Sequence, residues 1–162
     1  MFAAGLTILG FIVYKQYARG LYIRKLMREN IVVELPEYGI KAPVLEGTDD
    51  DVLSVAAGHF KGTGGIGEGN FCIAGHSSRI YREYFNDLKK ASPGDEIRLY
   101  RKDKSYVSYF VTDSFIVEPS ESWVLRDFGD CRVTIITCTD DGSQRLVVVG
   151  KPGIQPTEDV KQ

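Results

Sequence analysis

Cys138 and Arg145 stand on either side of a polar turn, between two β-branched runs at residues 133–137 and 146–149. Apolar runs separated by Asp-Gly predict a β-hairpin, because both central residues of the tight turn need positive φ. With Asp141-Gly142 as that turn, Asp140 pairs with Ser143, Thr139 with Gln144 and Cys138 with Arg145. A thiol and a guanidinium then share one sheet face, with Cβ atoms about 5 Å apart. A slip of one residue would send them to opposite faces, so the expectation rests on register. A thiol beside a fixed positive charge has its thiolate favoured. The plain alternative is a buried cysteine next to a surface arginine.

A third group joins them. Asn70-Phe-Cys-Ile-Ala-Gly-His76 reads as a buried strand ending in glycine and histidine. An imidazole at a strand end can face a cleft. Acyl transfer needs a nucleophile, an acid/base and a holder for the oxyanion. Cys138, His76 and Arg145 supply one of each. No carboxylate stands out as a partner for His76. Cys72 and Cys131 sit in apolar strand patterns and read as small core residues. Three cysteines and two histidines give no zinc-ligand spacing, and the odd cysteine count argues against a disulfide framework.

The elements that must position these groups are mostly strands. Runs at 31–35, 40–44, 70–76, 96–101, 106–117, 131–138 and 145–151 are apolar or alternating, with Pro43 marking an edge position. In the longest, Tyr106, Ser108, Phe110 and Thr112 fall on one face and Val107, Tyr109 and Val111 on the other. Thr48 caps a short helix whose first turn is acidic. Tyr84, Phe85 and Leu88 give an apolar side to a second, at 82–90. The glycine-rich stretch 61–69 lacks the Lys-Ser or Lys-Thr of a phosphate cradle and reads as a surface loop, with His59 before it structural. A 13-residue connection at 118–130 carries Trp123, and loops of that length often line sites. About eight strands with two or three short helices and no βαβ spacing predict a mostly antiparallel β-barrel.

Composition bounds the rest. The chain has 162 residues and a net charge of −2 with no basic stripe, so one domain without nucleic-acid binding is expected. Residues 1–30 form a separate helical arm. Its apolar run at 2–14 falls short of the roughly 20 residues that a span needs. Two readings compete: the tail of a membrane anchor that starts upstream, or an amphipathic helix packed on the domain or a partner. The anchor is the expectation carried forward, although the basic residues that follow (Lys15, Arg19, Arg24, Lys25 and Arg28) would by themselves hold the domain inside the cell. Residues 31–152 form the barrel and 153–162 a polar tail.

Thr134-Ile-Ile-Thr-Cys138 with Arg145 downstream resembles the sortase signature, Thr-Leu-x-Thr-Cys and a following Arg, with isoleucine standing for leucine. Residues 70–76 resemble the histidine strand of the same family, and Lys41-Ala-Pro-Val-Leu-Glu-Gly47 and Ala57-Gly-His-Phe60 resemble its flanking segments. The resemblance implies an eight-stranded sortase-like barrel and a cysteine transpeptidase on the outside of a Gram-positive cell. It implies a membrane-held enzyme that cuts an LPXTG-like signal of secreted proteins between Thr and Gly and passes the acyl group to a cell-wall or pilin amine. Cys138 is then the nucleophile, His76 the acid/base and Arg145 the clamp. Ala74 and Thr137 would lie beside the reacting carbonyl, and Trp123 in the groove wall. No cofactor is implied; some members use calcium, but no carboxylate cluster marks a site here. The absence of an aromatic lid motif and of a long helical insert points to a housekeeping-like type. A cysteine hydrolase on the same residues and a catalytically silent binding barrel are the rival readings.

Overall fold

The computed structural model describes residues 2–77 and 83–153. Its elements are helix α1 (Phe2–Glu29), strands β1 (Ile31–Leu35) and β2 (Ile40–Glu46), helix α2 (Asp50–Leu53), and strands β3 (Ala57–His59), β4 (Asn70–Ala74), β5 (Glu96–Tyr100), β6 (Tyr106–Val117), β7 (Arg132–Cys138) and β8 (Arg145–Pro152). The eight strands close a barrel in the order β1-β2-β3-β4-β7-β8-β6-β5. Closure leaves no free edge, and Pro43 lies in a strand with neighbours on both sides. It faces Val32 of β1, and the β3 pairing begins only at Val44, so its missing N–H interrupts no ladder on that side.

Most pairings are antiparallel, but β2–β3 and β4–β7 are parallel. Parallel neighbours need a crossover. Between β4 and β7 that crossover contains the whole β5–β6 hairpin, which is why local turn chemistry does not announce it. Alternation along each strand sorts side chains in and out. Val33, Ile73, Ile97, Leu99, Tyr109, Val133, Ile135 and Val148 fill the interior. Buried Tyr109 keeps its phenol satisfied by accepting the Gly67 N–H at 2.8 Å, which ties the glycine-rich loop to the core. Burial pushes that phenol up to about 12.

Three local expectations change. Asp49, not Thr48, caps α2, accepting the Val52 N–H at 3.1 Å. The second short helix is a 3-10 turn at Leu88–Lys90, with Phe85 and Leu88 buried; Arg82, its expected start, lies outside the described residues, as does the tail from 154 onward. The hairpin turn is also of another kind. Gly142 has φ 74°, but Asp141 is not in the left-handed region. Gly142 N–H returns to Thr139 O at 2.8 Å and Thr139 N–H goes to Gln144 O at 3.0 Å. Asp141 instead organises the turn with its carboxylate, which accepts from the Thr139 and Ser143 hydroxyls at 2.7 and 2.8 Å. Those bonds hold the carboxyl down at about 2. The loop is thus longer than the expected two residues, yet it preserves the same register.

Helix α1 meets the rest of the domain over its second half, where the Arg19 guanidinium donates to Ser54 O at 3.0 Å. Leu26 is buried, and the tip of the β5–β6 hairpin caps the helix, Lys104 Nζ donating to Met27 O and Arg28 O at 3.2 and 2.7 Å. Further back, Leu9, Phe11, Val13, Tyr14 and Tyr17 are exposed. No helix among the described residues is long and apolar enough to cross a membrane.

Candidate active site

Register brings the three chemical groups to one end of the barrel. Cys138 and Arg145 are direct partners in the β7–β8 ladder. Beyond the last β4–β7 pair, Ala74 with Ile136, two more residues on each strand bring His76 level with Cys138. The extension is fixed by hydrogen bonds rather than left to drift. Gly75 N–H donates to Ile136 O at 3.1 Å, Thr137 Oγ1 to Gly75 O at 2.7 Å, and Ser77 Oγ to Cys138 O at 2.6 Å. Gly75 is required by packing: a Cβ there would come within 2.5 Å of the Phe85 ring. The small residue before the histidine lets the chain run close over that buried ring.

His76, Cys138 and Arg145 are all half-buried, as a site that admits substrate and limits water requires. In this state the Arg145 guanidinium donates to Gly142 O and Gln144 O at 3.3 and 3.0 Å. The hairpin that carries both Cys138 and Arg145 is tied down on two sides, by Lys89 to Asp140 at 2.8 Å and by Gln144 to Glu118 at 2.7 Å.

The outward row next to these residues is apolar. Ala74, Ile136, Val147 and Phe115 are consecutive partners across β4, β7, β8 and β6. Val124, from the 118–130 connection, packs onto Ile136 and Val147. Trp123 stacks on Phe115 with centroids 5.7 Å apart, and Phe128 meets it edge-on at 6.4 Å. An apolar strip therefore leads along the sheet toward Cys138, with Ala74 on one side, Trp123 on the loop side, and Ile136 and Val147 buried beneath Val124. Thr137 lies on the other face of the strand but lines the same small cavity as Cys138, with Ser77, Phe85 and Leu146. It shares the inward face of Val133 and Ile135, is buried, and spends its hydroxyl on Gly75, so it acts on the strand that carries His76.

The other thiols differ from Cys138. Cys72 is fully buried, and burial pushes its thiol up to about 11. Cys131 lies beside the Tyr109 hydroxyl, 3.9 Å away. His59 is bound up in structure: Nδ1 is 2.8 Å from Glu46 Oε2, Nε2 is 3.1 Å from Gly64 O, and the ring stacks on Phe71. Among the described residues, no group of three or more His, Cys, Asp or Glu could hold a metal ion. Ser77, Asn70 and Thr134 were not singled out from the sequence. For Asn70 and Thr134 the available signal is a polar residue on an otherwise buried strand; Ser77, just past β4, carries none.

Comparisons with known proteins bear on the family and the fold. The family model for the sortase domain matches residues 33–153. Sortase A of Bacillus anthracis is 32% identical over 120 residues, covering 73% of this chain and 57% of the relative. Sortase A of Listeria monocytogenes is 29% identical over 121 residues, covering 74% of this chain and 54% of the relative. This chain thus spans somewhat more than half the length of those relatives. Among solved structures, a Clostridium perfringens sortase D5 transpeptidase superposes with TM-score 0.70 at 33% identity, over 77% of this chain and 79% of that one. Listeria monocytogenes sortase A superposes with TM-score 0.72 at 26% identity, over 78% and 88%. With the barrel, the paired cysteine and arginine, and the matched domain all in agreement, the chain belongs to the sortase family.

Proposed function

We propose that this protein is a cysteine transpeptidase of housekeeping-like type, which cleaves an LPXTG-like sorting signal between Thr and Gly. The observation that carries the reading is the pairing of Cys138 with Arg145 beside the strand end that bears His76. The Cys138 thiolate attacks the threonine carbonyl, and the tetrahedral oxyanion is held by the Arg145 guanidinium. For this Arg145 exchanges its turn carbonyls for substrate. His76 protonates the departing glycine amine as the C–N bond breaks, leaving a thioacyl enzyme. An incoming amine then gives its proton to His76 and attacks the thioester, which releases Cys138 and forms the new amide. The apolar strip becomes the floor of the trough that takes the leucine and proline of the signal, with Ala74 beneath and Trp123 alongside. The reaction needs no cofactor.

The same reading assigns the partners and the place. The donors are secreted proteins with a C-terminal sorting signal, and the acceptor is an amine of a cell-wall precursor or a pilin. The exposed apolar end of α1 holds the enzyme at the membrane of a Gram-positive cell, with the barrel outside. The exposed Leu9, Phe11 and Val13, which no part of the barrel covers, support this placement.

Product analysis tests the reaction. An LPXTG-type peptide incubated with a glycine-type amine should yield the new amide. A product that is only the free acid, unchanged by added amine, would make the enzyme a hydrolase on the same residues. No cleavage at all, with Cys138 no more reactive than Cys72 or Cys131 toward an alkylating probe, would leave a binding barrel.

A further inference from the structure

The side of the trough opposite Ala74 is not part of the sheet. It is a long connection, 118–130, and its middle turns over as a 3-10 turn at Trp123–Leu125. A loop of this length costs conformational entropy to hold in one place. Its two ends are anchored by charged groups, Glu118 to Gln144 and Asp130 to Arg132 and Lys151. In the middle, besides the packing of Trp123 and Val124, a buried amide grips the backbone. Asn70 is 1% exposed, and its Nδ2 donates to Val124 O at 3.0 Å and to Arg126 O at 2.9 Å. Its Oδ1 accepts the Thr134 hydroxyl at 2.7 Å, and Thr134 is itself 1% exposed. Both amide hydrogens are thus spent on the loop, and the oxygen fixes which way the amide faces. Val124, whose carbonyl is gripped, is the residue that presses onto the trough floor at Ile136 and Val147.

We infer that Asn70, oriented by Thr134, is a positioning residue that holds the wall of the peptide groove in its binding position before substrate arrives. The inference rests on the transpeptidase reading, because it assigns the trough to the sorting signal. Asn70 touches neither Cys138 nor substrate. Its effect is on the fraction of molecules with the wall in place. Apparent affinity falls in proportion to that fraction, whereas the chemistry of a bound, closed complex does not.

The test uses the full chain and the LPXTG-type peptide that the wild type turns over fastest. Asn70→Ala should raise KM about tenfold or more while kcat stays within about twofold. Thr134→Val, which keeps the amide but removes its orienting partner, should raise KM by about two- to fivefold. In both variants hydrogen exchange should quicken at residues 122–127, and alkylation of Cys138 by iodoacetamide should keep its wild-type rate. Should Asn70→Ala not fold, Thr134→Val carries the same readings. Unchanged KM with unchanged exchange at 122–127 would overturn the inference. So would a fall in kcat and in Cys138 alkylation together with the rise in KM, because that pattern means general damage to the site. Failure of the underlying reading looks different: the wild type itself would form no amide, whereas the exchange comparison would still report whether Asn70 holds the loop.

Discussion

At the level of single residues, the site is a matter of which atoms the backbone register brings together. Arg145 and Cys138 are ladder partners, so the guanidinium needs only side-chain rotation to reach a carbonyl bound at the thiol. A lysine at 145 would keep the charge but lose the planar fork. Arg145→Lys and Arg145→Ala should both lower kcat/KM by about 10²- to 10³-fold, with Tm nearly unchanged, as steady-state kinetics and thermal melts would show. Thr137 presents the converse case, since its hydroxyl serves the buried Gly75 carbonyl. Thr137→Val should destabilise by about 1–3 kcal/mol by stranding that acceptor, and Thr137→Ser should restore most of the loss in a denaturant titration. The cysteine–arginine pairing was legible in the sequence even though the turn differs from the one expected. Asp141 builds the loop with its carboxylate instead of a left-handed backbone, but the count of residues between the partners left the register intact. The role of Thr137 was not legible, because nothing in a strand pattern says that an inward hydroxyl will meet a carbonyl of a strand more than sixty residues away in sequence.

At the level of elements, the antiparallel hairpins could be read from their turns and alternation, and β5–β6 and β7–β8 formed as their patterns require. The parallel β4–β7 pair could not, although it is the junction that brings His76 to Cys138. Both strands are nearly continuous apolar runs, which suit burial on either face but carry no mark of their neighbour. The connection before β7 is closed by Asp130, which bridges Arg132 at 2.5 Å and Lys151 at 2.9 Å. Arg132, and then Lys151, hold the Asp130 carboxyl well below the ordinary carboxylate range. A carboxyl lowered on folding stabilises fully above its unfolded pKa of about 4, and loses that contribution as pH falls through the lower folded value. Asp130→Asn should therefore melt about 2–4 °C below wild type at pH 7, and the gap should close in acid below that window. A gap that persists or widens in acid would mean that Asp130 acts through packing.

At the level of the whole molecule, the barrel and α1 are joined by a small seam. Leu26 of the helix is buried, Arg19 donates to Ser54 O, and Lys104 caps the last helical carbonyls from the β5–β6 hairpin. Leu26→Ala should cost about 2–5 kcal/mol if the seam is integral to the fold. Substituting Phe11 or Val13 by serine should leave the melt unchanged and reduce only binding to lipid vesicles. The claim on which the account turns is that Cys138 carries the acyl group. Intact-protein mass spectrometry of the enzyme mixed with an LPXTG-type peptide and no amine tests it most directly. The account predicts an adduct with the mass of the peptide up to its threonine, located on Cys138, released by hydroxylamine and absent from Cys138→Ala. Peptide cleavage by Cys138→Ala, or the same adduct on Cys72 or Cys131, would contradict it.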